Sequence, residues 1–262
     1  MSNTTPGKSI IQRHGAVALI MSLGLLVAAC HAVPTTQESQ QVTSTSIASE
    51  TLSTRQQAIV PIAAFAAKGD LARLNEALNQ GLDAGLTVTD VREVLVQLYA
   101  YAGFPRSLNA LGELMKVLET RRQRGVQDAP GHAPSRPIPT GDALLSAGTA
   151  NQTKLAGGAV KGPLFEFAPA IDEYLKTHLF GDIFERDNLD WQSREIATVA
   201  MLAAMPGVEP QLQAHMRISM NVGLTESQLR QLGQVLADRV DADIAMRAHE
   251  ALEKQVAAQS AR

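Results

Sequence analysis

The sequence predicts an all-α protein built from a duplicated helical unit. Hydrophobic residues make up 45% of the 262 residues but aromatic residues only 4%, and Ala and Leu dominate the periodic stretches. A β-sandwich or barrel would need more aromatic and β-branched residues. The two halves also align without a gap, with Gly69 matching Gly207 and the Gly-Leu-Thr of residues 85–87 matching that of 223–225. This self-similarity indicates a repeated unit of about seventy residues.

The N-terminus has the pattern of an exported lipoprotein. Lys8 and Arg13 precede the short apolar run Ala16–Ala29, which is too short to span a bilayer comfortably and predicts a signal peptide over residues 1–29. The sequence Val-Ala-Ala-Cys ending at Cys30 resembles the lipobox of bacterial lipoproteins. We therefore expect lipidation at Cys30 and a membrane-anchored protein on the periplasmic face of the cell envelope. The alternative is an ordinary signal peptide cleaved nearby, which leaves a free thiol.

The rest of the chain divides into a tether, two repeats and a connecting segment. Residues 30–51 are rich in Ser, Thr and Gln and predict a flexible tether, and residues 52–122 form the first repeat. Residues 123–188 begin with a proline-rich linker and contain a connector helix, and residues 189–256 form the second repeat. A net charge of −3 without a basic stripe argues against a nucleic-acid partner.

Periodicity and capping residues predict the helices of the first repeat. We expect helices over Gln56–Ala67, over about Leu71–Gln80 with a stop at the breakers Gly81 and Gly85, and over Arg106–Arg121. Between the last two lies a helix that Thr87 and Asp90 can cap and that ends at residues 103–105.

The connector and the second repeat carry similar signals. Residues 141–155 show weak helical periodicity, and a short helix opens at Pro169 and extends to Leu179. In the second repeat we expect helices over Trp191–Met205 and Gln211–Asn221, followed by a helix whose capping box is Thr225 with Gln228.

The stretch from Val91 to Pro105 is apolar on nearly every side but carries Glu93, Gln97 and Tyr101 at steps of four, on one stripe of a helix. A helix that is hydrophobic all round is buried. Its carboxylate must therefore be paired, protonated or used in chemistry. The alternative to a functional role is a core helix whose Glu93 forms an ordinary salt bridge.

Three runs resemble one protein family. The run REIATVAMLAAM continuing to QLQAHMRISMNVGLT at residues 194–225, and REVLVQLYAYAGFP at residues 92–105, resemble the carboxymuconolactone decarboxylase family, which shares its fold with alkylhydroperoxidase D. Residues 178–195 resemble the connector of two-repeat members. The resemblance implies an all-α, alkylhydroperoxidase D-like fold, and a homo-oligomer in which a two-repeat chain would form a trimer.

The peroxidase branch of this family uses a Glu, a CxxC pair and a His four residues after the second Cys. Glu195 and His215 match the Glu and the His, but Val208 and Gln211 replace the cysteines. Cys30 lies outside the motif and is the only cysteine. Thiol peroxidase chemistry is therefore disfavoured.

The decarboxylase branch needs no thiol, metal or organic cofactor, and its substrates are carboxylated lactones or related organic acids. By this resemblance His215 is the candidate acid/base, with Glu93 or Glu195 to orient it or to shuttle a proton, and Tyr101 to donate to a substrate oxygen. Each residue also has a structural interpretation: His215 and Tyr101 as core residues, and Glu195 as the partner of Arg194.

Arg106 and Arg217 are candidate carboxylate-binding residues, or alternatively surface arginines. The histidines show none of the common metal-binding spacings, so we expect no metal site and no cofactor.

Each repeat retains the part of the motif that the other has lost. The first repeat keeps Glu93 and the Gly-Phe-Pro of residues 103–105, and the second keeps Glu195 and His215. This pattern fits either a composite site between repeats or two decayed motifs. The function expected from the sequence is a cofactor-free lyase, and the alternative is a non-catalytic, lipid-anchored oligomer that binds a ligand.

Overall fold

The computed structural model describes residues 50–261, and every regular element over these residues is a helix. The predicted signal peptide, Cys30 and nearly all of the predicted tether lie outside the described residues. Within residues 50–261, no helix has both the length and the apolar character needed to cross a bilayer.

The first half of the fold contains four helices. They are α1 (Thr54–Lys68), α2 (Leu71–Asp83), α3 (Val88–Gln97) and α4 (Tyr99–Gln123). The predicted capping box at the start of α3 is confirmed, since Thr87 and Asp90 bond each other's backbone N–H groups.

The predicted helix stop at Gly81 is wrong, whereas the helix break predicted at Gly103 is present. Helix α2 continues through Gly81 to Asp83 and ends before Gly85, whose φ is 90°. At Gly81 the missing side chain leaves room for Ile62, since a Cβ there would lie 2.7 Å from the Ile62 Cδ1 atom.

Helix α3 ends at Gln97, and α4 follows at once from Tyr99. The backbone leaves the helical conformation at Gly103, the predicted position, with φ 81° and ψ 161°, a left-handed conformation that favours glycine.

The connecting segment forms α5 (Asp142–Ala156), α6 (Pro163–Phe167), α7 (Pro169–Tyr174) and a π-helix (Leu175–Ile183). The π-helix was not predicted. It packs closely on α5 at Gly148, where a Cβ would lie 1.7 Å from the carbonyl oxygen of Lys176. Only glycine permits this approach of the two backbones.

The second half repeats the first, with α8 (Trp191–Ala203), α9 (Glu209–Asn221), α10 (Glu226–Arg239) and α11 (Ala242–Ser260). Helices α9 and α10 begin at the positions that align with the starts of α2 and α3. The predicted capping box of Thr225 and Gln228 is present at α10. The fold is therefore the all-α, duplicated architecture that the sequence predicts.

The two halves share one hydrophobic core. Helices α1 and α8 pack against each other at its centre, and both are buried along nearly their whole length. Their sequences are rich in Ala and lack charge in the middle, which suits a helix enclosed on all sides. A smaller apolar cluster joins the connecting segment to α9 through Leu155, Phe180 and Ile218. This packing brings α3 and α4 of the first half against α8 of the second.

Candidate functional site

The site centres on a direct contact between Glu195 of α8 and His215 of α9. Glu195 Oε2 lies 2.7 Å from His215 Nδ1, and the two side chains are 0% and 10% exposed. Asp190 fixes the start of α8 by accepting a hydrogen bond from the backbone N–H of Ser193. Since α8 and α9 pack against each other, the two side chains meet inside the second repeat.

This contact determines which imidazole nitrogen carries a proton. A carboxylate only accepts hydrogen bonds, so Nδ1 of His215 must donate to Glu195. No group among residues 50–261 forms a hydrogen bond with Nε2. The geometry thus leaves Nε2 as the nitrogen that can take or give a proton, as in other carboxylate–histidine pairs. The second oxygen of Glu195, Oε1, is buried and has no hydrogen-bond partner in the described part of the chain.

Tyr101 of the first repeat lies against this pair. Its ring meets the ring of His215 edge-on, with 5.7 Å between the centroids, and its hydroxyl lies 3.2 Å from Thr198 Oγ1. Burial raises the pKa of the Tyr101 phenol, and the negative charge of Glu195 raises it further. Tyr101 therefore stays protonated and can act as a hydrogen-bond donor. The candidate site combines residues of both repeats within one chain.

Glu93 occupies a different position, in an ion-pair cluster. Its carboxylate accepts hydrogen bonds from Arg186 at 2.7 and 2.8 Å, from Arg194 at 3.1 Å and from Asn188 at 3.1 Å. Burial raises the pKa of Glu93, but the hydrogen bonds from Arg186 and Asn188 and the charge of Arg194 outweigh it and lower the pKa to about 2. Of the three outcomes expected for this buried carboxylate, pairing is confirmed.

The ion pair changes how Glu93 can act. Glu93 stays ionised near neutral pH and bonds Arg186, Arg194 and Asn188 rather than His215, so the geometry gives no support to a proton shuttle through it. Arg194 forms its ion pair with Glu93 and not with Glu195, although it is adjacent to Glu195 in sequence.

The two arginines proposed for carboxylate binding lie apart from the pair. Arg106 is exposed and donates a hydrogen bond to the carbonyl of Ala67, near the end of α1. Arg217 follows His215 by two residues, which places it about 200° around α9 and hence on the opposite face. Its Nε is buried without a hydrogen-bond partner among the described residues. The structure brings together Glu195, His215 and Tyr101, but not these arginines.

Sequence reasoning missed Thr198 beside the site and gave Arg194 the wrong partner, Glu195 instead of Glu93. Thr198 and Arg194 are fully buried one turn apart on α8, and both bond Gln97 of α3. Their signal was a polar side chain within an apolar helical stretch, the same signal that identified Glu93.

Residues 50–261 contain no cluster of three or more His, Cys, Asp or Glu side chains that could hold a metal ion. Val208 and Gln211, at the cysteine positions of the peroxidase motif, lie at the beginning of α9. The chemistry available at this site is acid–base chemistry by an imidazole, a carboxylate and a phenol.

Fold and site together define a duplicated, all-α protein with a carboxylate–histidine pair in its second repeat. The family model described as Carboxymuconolactone decarboxylase family matches residues 39–115 and 169–254, more than half of the chain. The protein therefore belongs to the carboxymuconolactone decarboxylase family, and the two matched segments fit a two-repeat member. No curated protein matches the chain.

Proposed function

We propose that the protein is a cofactor-free lyase that acts on a small carboxylated lactone or a related organic acid. The observation that carries this proposal is the 2.7 Å contact between Glu195 and His215, in which a fully buried carboxylate fixes an imidazole and leaves Nε2 unbonded. A buried carboxylate that orients a histidine is a common arrangement in general acid–base catalysis.

The proposed reaction needs one bond cleavage and one proton transfer. The carbon–carbon bond to the substrate carboxylate breaks, carbon dioxide leaves, and the electron pair remains on the lactone as a dienolate. Nε2 of the protonated His215 then delivers a proton to carbon, and water restores that proton for the next cycle. Glu195 stabilises the imidazolium, and Tyr101 donates a hydrogen bond to the oxygen that carries the dienolate charge.

Glu93 enters this proposal as a positioning residue. Through Arg194 and Gln97 it is connected to Thr198, which bonds the Tyr101 hydroxyl. Arg106 and Arg217 have no part in the proton transfer.

The proposal places the enzyme at the cell envelope. It rests on the signal-like N-terminus and on the lipobox-like sequence at Cys30, which predict export, lipid anchoring and a periplasmic location. Incorporation of radiolabelled palmitate that is lost in Cys30→Ser would support this part of the proposal, and equal incorporation would contradict it. The family resemblance suggests a trimer. Light scattering tests this by measuring the molar mass of the detergent-solubilised protein.

A second candidate, a non-catalytic binding module, is favoured by a separate cavity. A polar cavity of about 450 Å³ lies near the N-termini of α1 and α8, lined among others by Ser53, Asp90, Asp187 and Asp190. Neither Glu195 nor His215 lines it. On this alternative the ligand would occupy the polar cavity, and the carboxylate–histidine pair would be structural.

A substrate screen separates the two candidates. The protein is incubated with muconolactones and related lactone acids, and loss of ultraviolet absorbance is followed, with His215→Ala as the blank. Turnover that disappears in His215→Ala, with unchanged thermal stability, supports the lyase. Absence of turnover in both proteins, with equal stability and oligomeric state, supports the binding module.

A further inference from the structure

Another cavity lies within the connecting segment, apart from the polar cavity and from the carboxylate–histidine pair. Its volume is about 320 Å³, and its lining comes from α5, from the loop before α6, from α6 and α7, and from the π-helix. This volume is within the range of pockets that hold small molecules, about 300–1,000 Å³. Glu195 and His215 are not part of the lining. The cavity therefore has the size of a small-molecule site that is separate from the proposed active site.

The cavity contains a buried amide group without a hydrogen-bond partner. Gln152 of α5 lines the cavity and is only 4% exposed, but neither end of its amide forms a hydrogen bond with another residue among residues 50–261. Gln97 also has a buried amide, and both ends of that amide are bonded. A buried polar group without a partner destabilises the fold, so such a group in a native structure needs an explanation. A ligand that bonds both ends of the Gln152 amide supplies one.

Two opposite charges in the same lining are also unpaired. Lys161 and Glu166 both line the cavity and are exposed, and neither forms an ion pair with any residue in the described part of the chain. The other two charged residues of the lining, Asp172 and Lys176, pair with each other. Lys161 and Glu166 thus offer a cation and an anion that are free to bind a ligand.

The charge balance of the lining favours a zwitterion over a simple acid or a simple amine. The lining contains two lysines and two acidic residues. A ligand with only a carboxylate would be attracted by Lys161 but repelled by Glu166, and a ligand with only an ammonium group would meet the reverse. A molecule that carries both charges can pair with both side chains.

The amide and the apolar side chains define the rest of the ligand. The amide nitrogen of Gln152 only donates hydrogen bonds, and the amide oxygen only accepts them. A carboxylate can accept from that nitrogen, and an ammonium group can donate to that oxygen. Val160 and Phe165 add half-buried apolar surface to the lining. A carboxylate, an ammonium group and an apolar portion in one small molecule describe an amino acid with an apolar side chain.

We propose that this cavity binds a free α-amino acid with an apolar side chain. Lys161 and the amide nitrogen of Gln152 bind its carboxylate, Glu166 and the amide oxygen bind its ammonium group, and Val160 and Phe165 contact its side chain. Binding makes and breaks no covalent bond, so this is a ligand site rather than a second active site. The inference does not rest on the lyase activity, because the cavity and the carboxylate–histidine pair share no residue.

Isothermal titration calorimetry on the detergent-solubilised, full-length protein tests the class of ligand. The probes are L-leucine and L-phenylalanine, each compared with the analogue that lacks the ammonium group and the analogue that lacks the carboxylate. For L-leucine these analogues are isocaproate and isoamylamine. We expect saturable binding of at least one of the two amino acids, at least about tenfold tighter than of its analogues. Absence of saturable binding for both amino acids would overturn the inference, and so would equally tight binding of an analogue.

Matched variants test the assigned residues, and they need no substrate, so a failed substrate screen leaves this test valid. Gln152→Met has nearly the same size but lacks the amide. We expect it to bind the amino acid at least about tenfold more weakly, with an unchanged or higher melting temperature because the unpaired polar group is gone. Lys161→Gln removes an exposed charge and should weaken binding by a similar factor without a change in stability.

The control is Lys254→Gln, which removes an exposed lysine of α11 outside this cavity and should leave the affinity unchanged. An affinity equal to that of the wild type in Gln152→Met, or in Lys161→Gln if Gln152→Met does not fold, would overturn the inference.

Discussion

The ion pair between Glu93 and Arg194 makes a quantitative stability prediction. Both side chains are almost completely buried, at 1% and 0% exposure, and Glu93→Gln removes the charge that balances Arg194. Breaking a buried pair by removing one partner costs about 3–5 kcal/mol. The pKa gives a similar figure: a decrease from 4.5 to about 2 corresponds to about 3 kcal/mol of stabilisation near neutral pH.

Urea unfolding measures this loss, followed by the fluorescence of Trp191, the only tryptophan. With a urea dependence of about 2–3 kcal/mol per molar, we expect the midpoint to fall by roughly 1–2 M in Glu93→Gln. The matched control is Glu119→Gln, which removes an exposed carboxylate that pairs with Arg122 and should leave the midpoint unchanged. If Glu93→Gln shifts the midpoint no more than Glu119→Gln does, the ion-pair account of this cluster is refuted.

Three further predictions follow from the same contacts. The lowered pKa of Glu93 contributes stability that is complete above about pH 4.5 and is lost as the pH falls toward about 2, so acid unfolding should be less steep in Glu93→Gln; parallel acid curves would contradict this. Glu195→Gln keeps the shape of the side chain but removes the charge that stabilises the imidazolium, and we expect kcat to fall by at least about 100-fold with little change in circular dichroism; near-normal turnover would contradict its role. Gly148→Ala should lower the melting temperature because its Cβ would collide with the π-helix backbone, whereas Gly112→Ala, whose Cβ would meet nothing within 4 Å, should leave the melting temperature unchanged or raise it; equal effects of the two variants would contradict the close packing.

Local signals in the sequence predicted much of the fold. The capping boxes at Thr87 and Thr225 involve residues only three positions apart, so their geometry depends on little beyond the helix start. The alignment of the two halves predicted the duplication. Helix α2 runs past Gly81 and ends before Gly85, and at Gly81 the absent side chain leaves room for Ile62. Sequence periodicity contains no information about that neighbour.

The candidate site was predicted in parts rather than as a whole. Glu195 and His215 are each recognisable from the family motif, but their 2.7 Å contact follows from the packing of α8 on α9. The sequence identified Glu93 as a buried carboxylate that needed a partner. It did not identify Arg186, which is 93 positions away in the chain. Arg186 lies just after the π-helix of the connecting segment, and this π-helix has no recognisable sequence pattern.

The central claim is that Glu195 holds the hydrogen of His215 on Nδ1 and leaves Nε2 for proton transfer. Nitrogen-15 NMR of the labelled protein tests it most directly, at a pH where the imidazole is neutral. The signal of His215 is assigned among the six histidines by its absence in His215→Ala. We expect a proton-bearing Nδ1 and a bare Nε2, and a loss of this preference in Glu195→Leu. A neutral ring that carries its proton on Nε2 in the wild type would contradict the account.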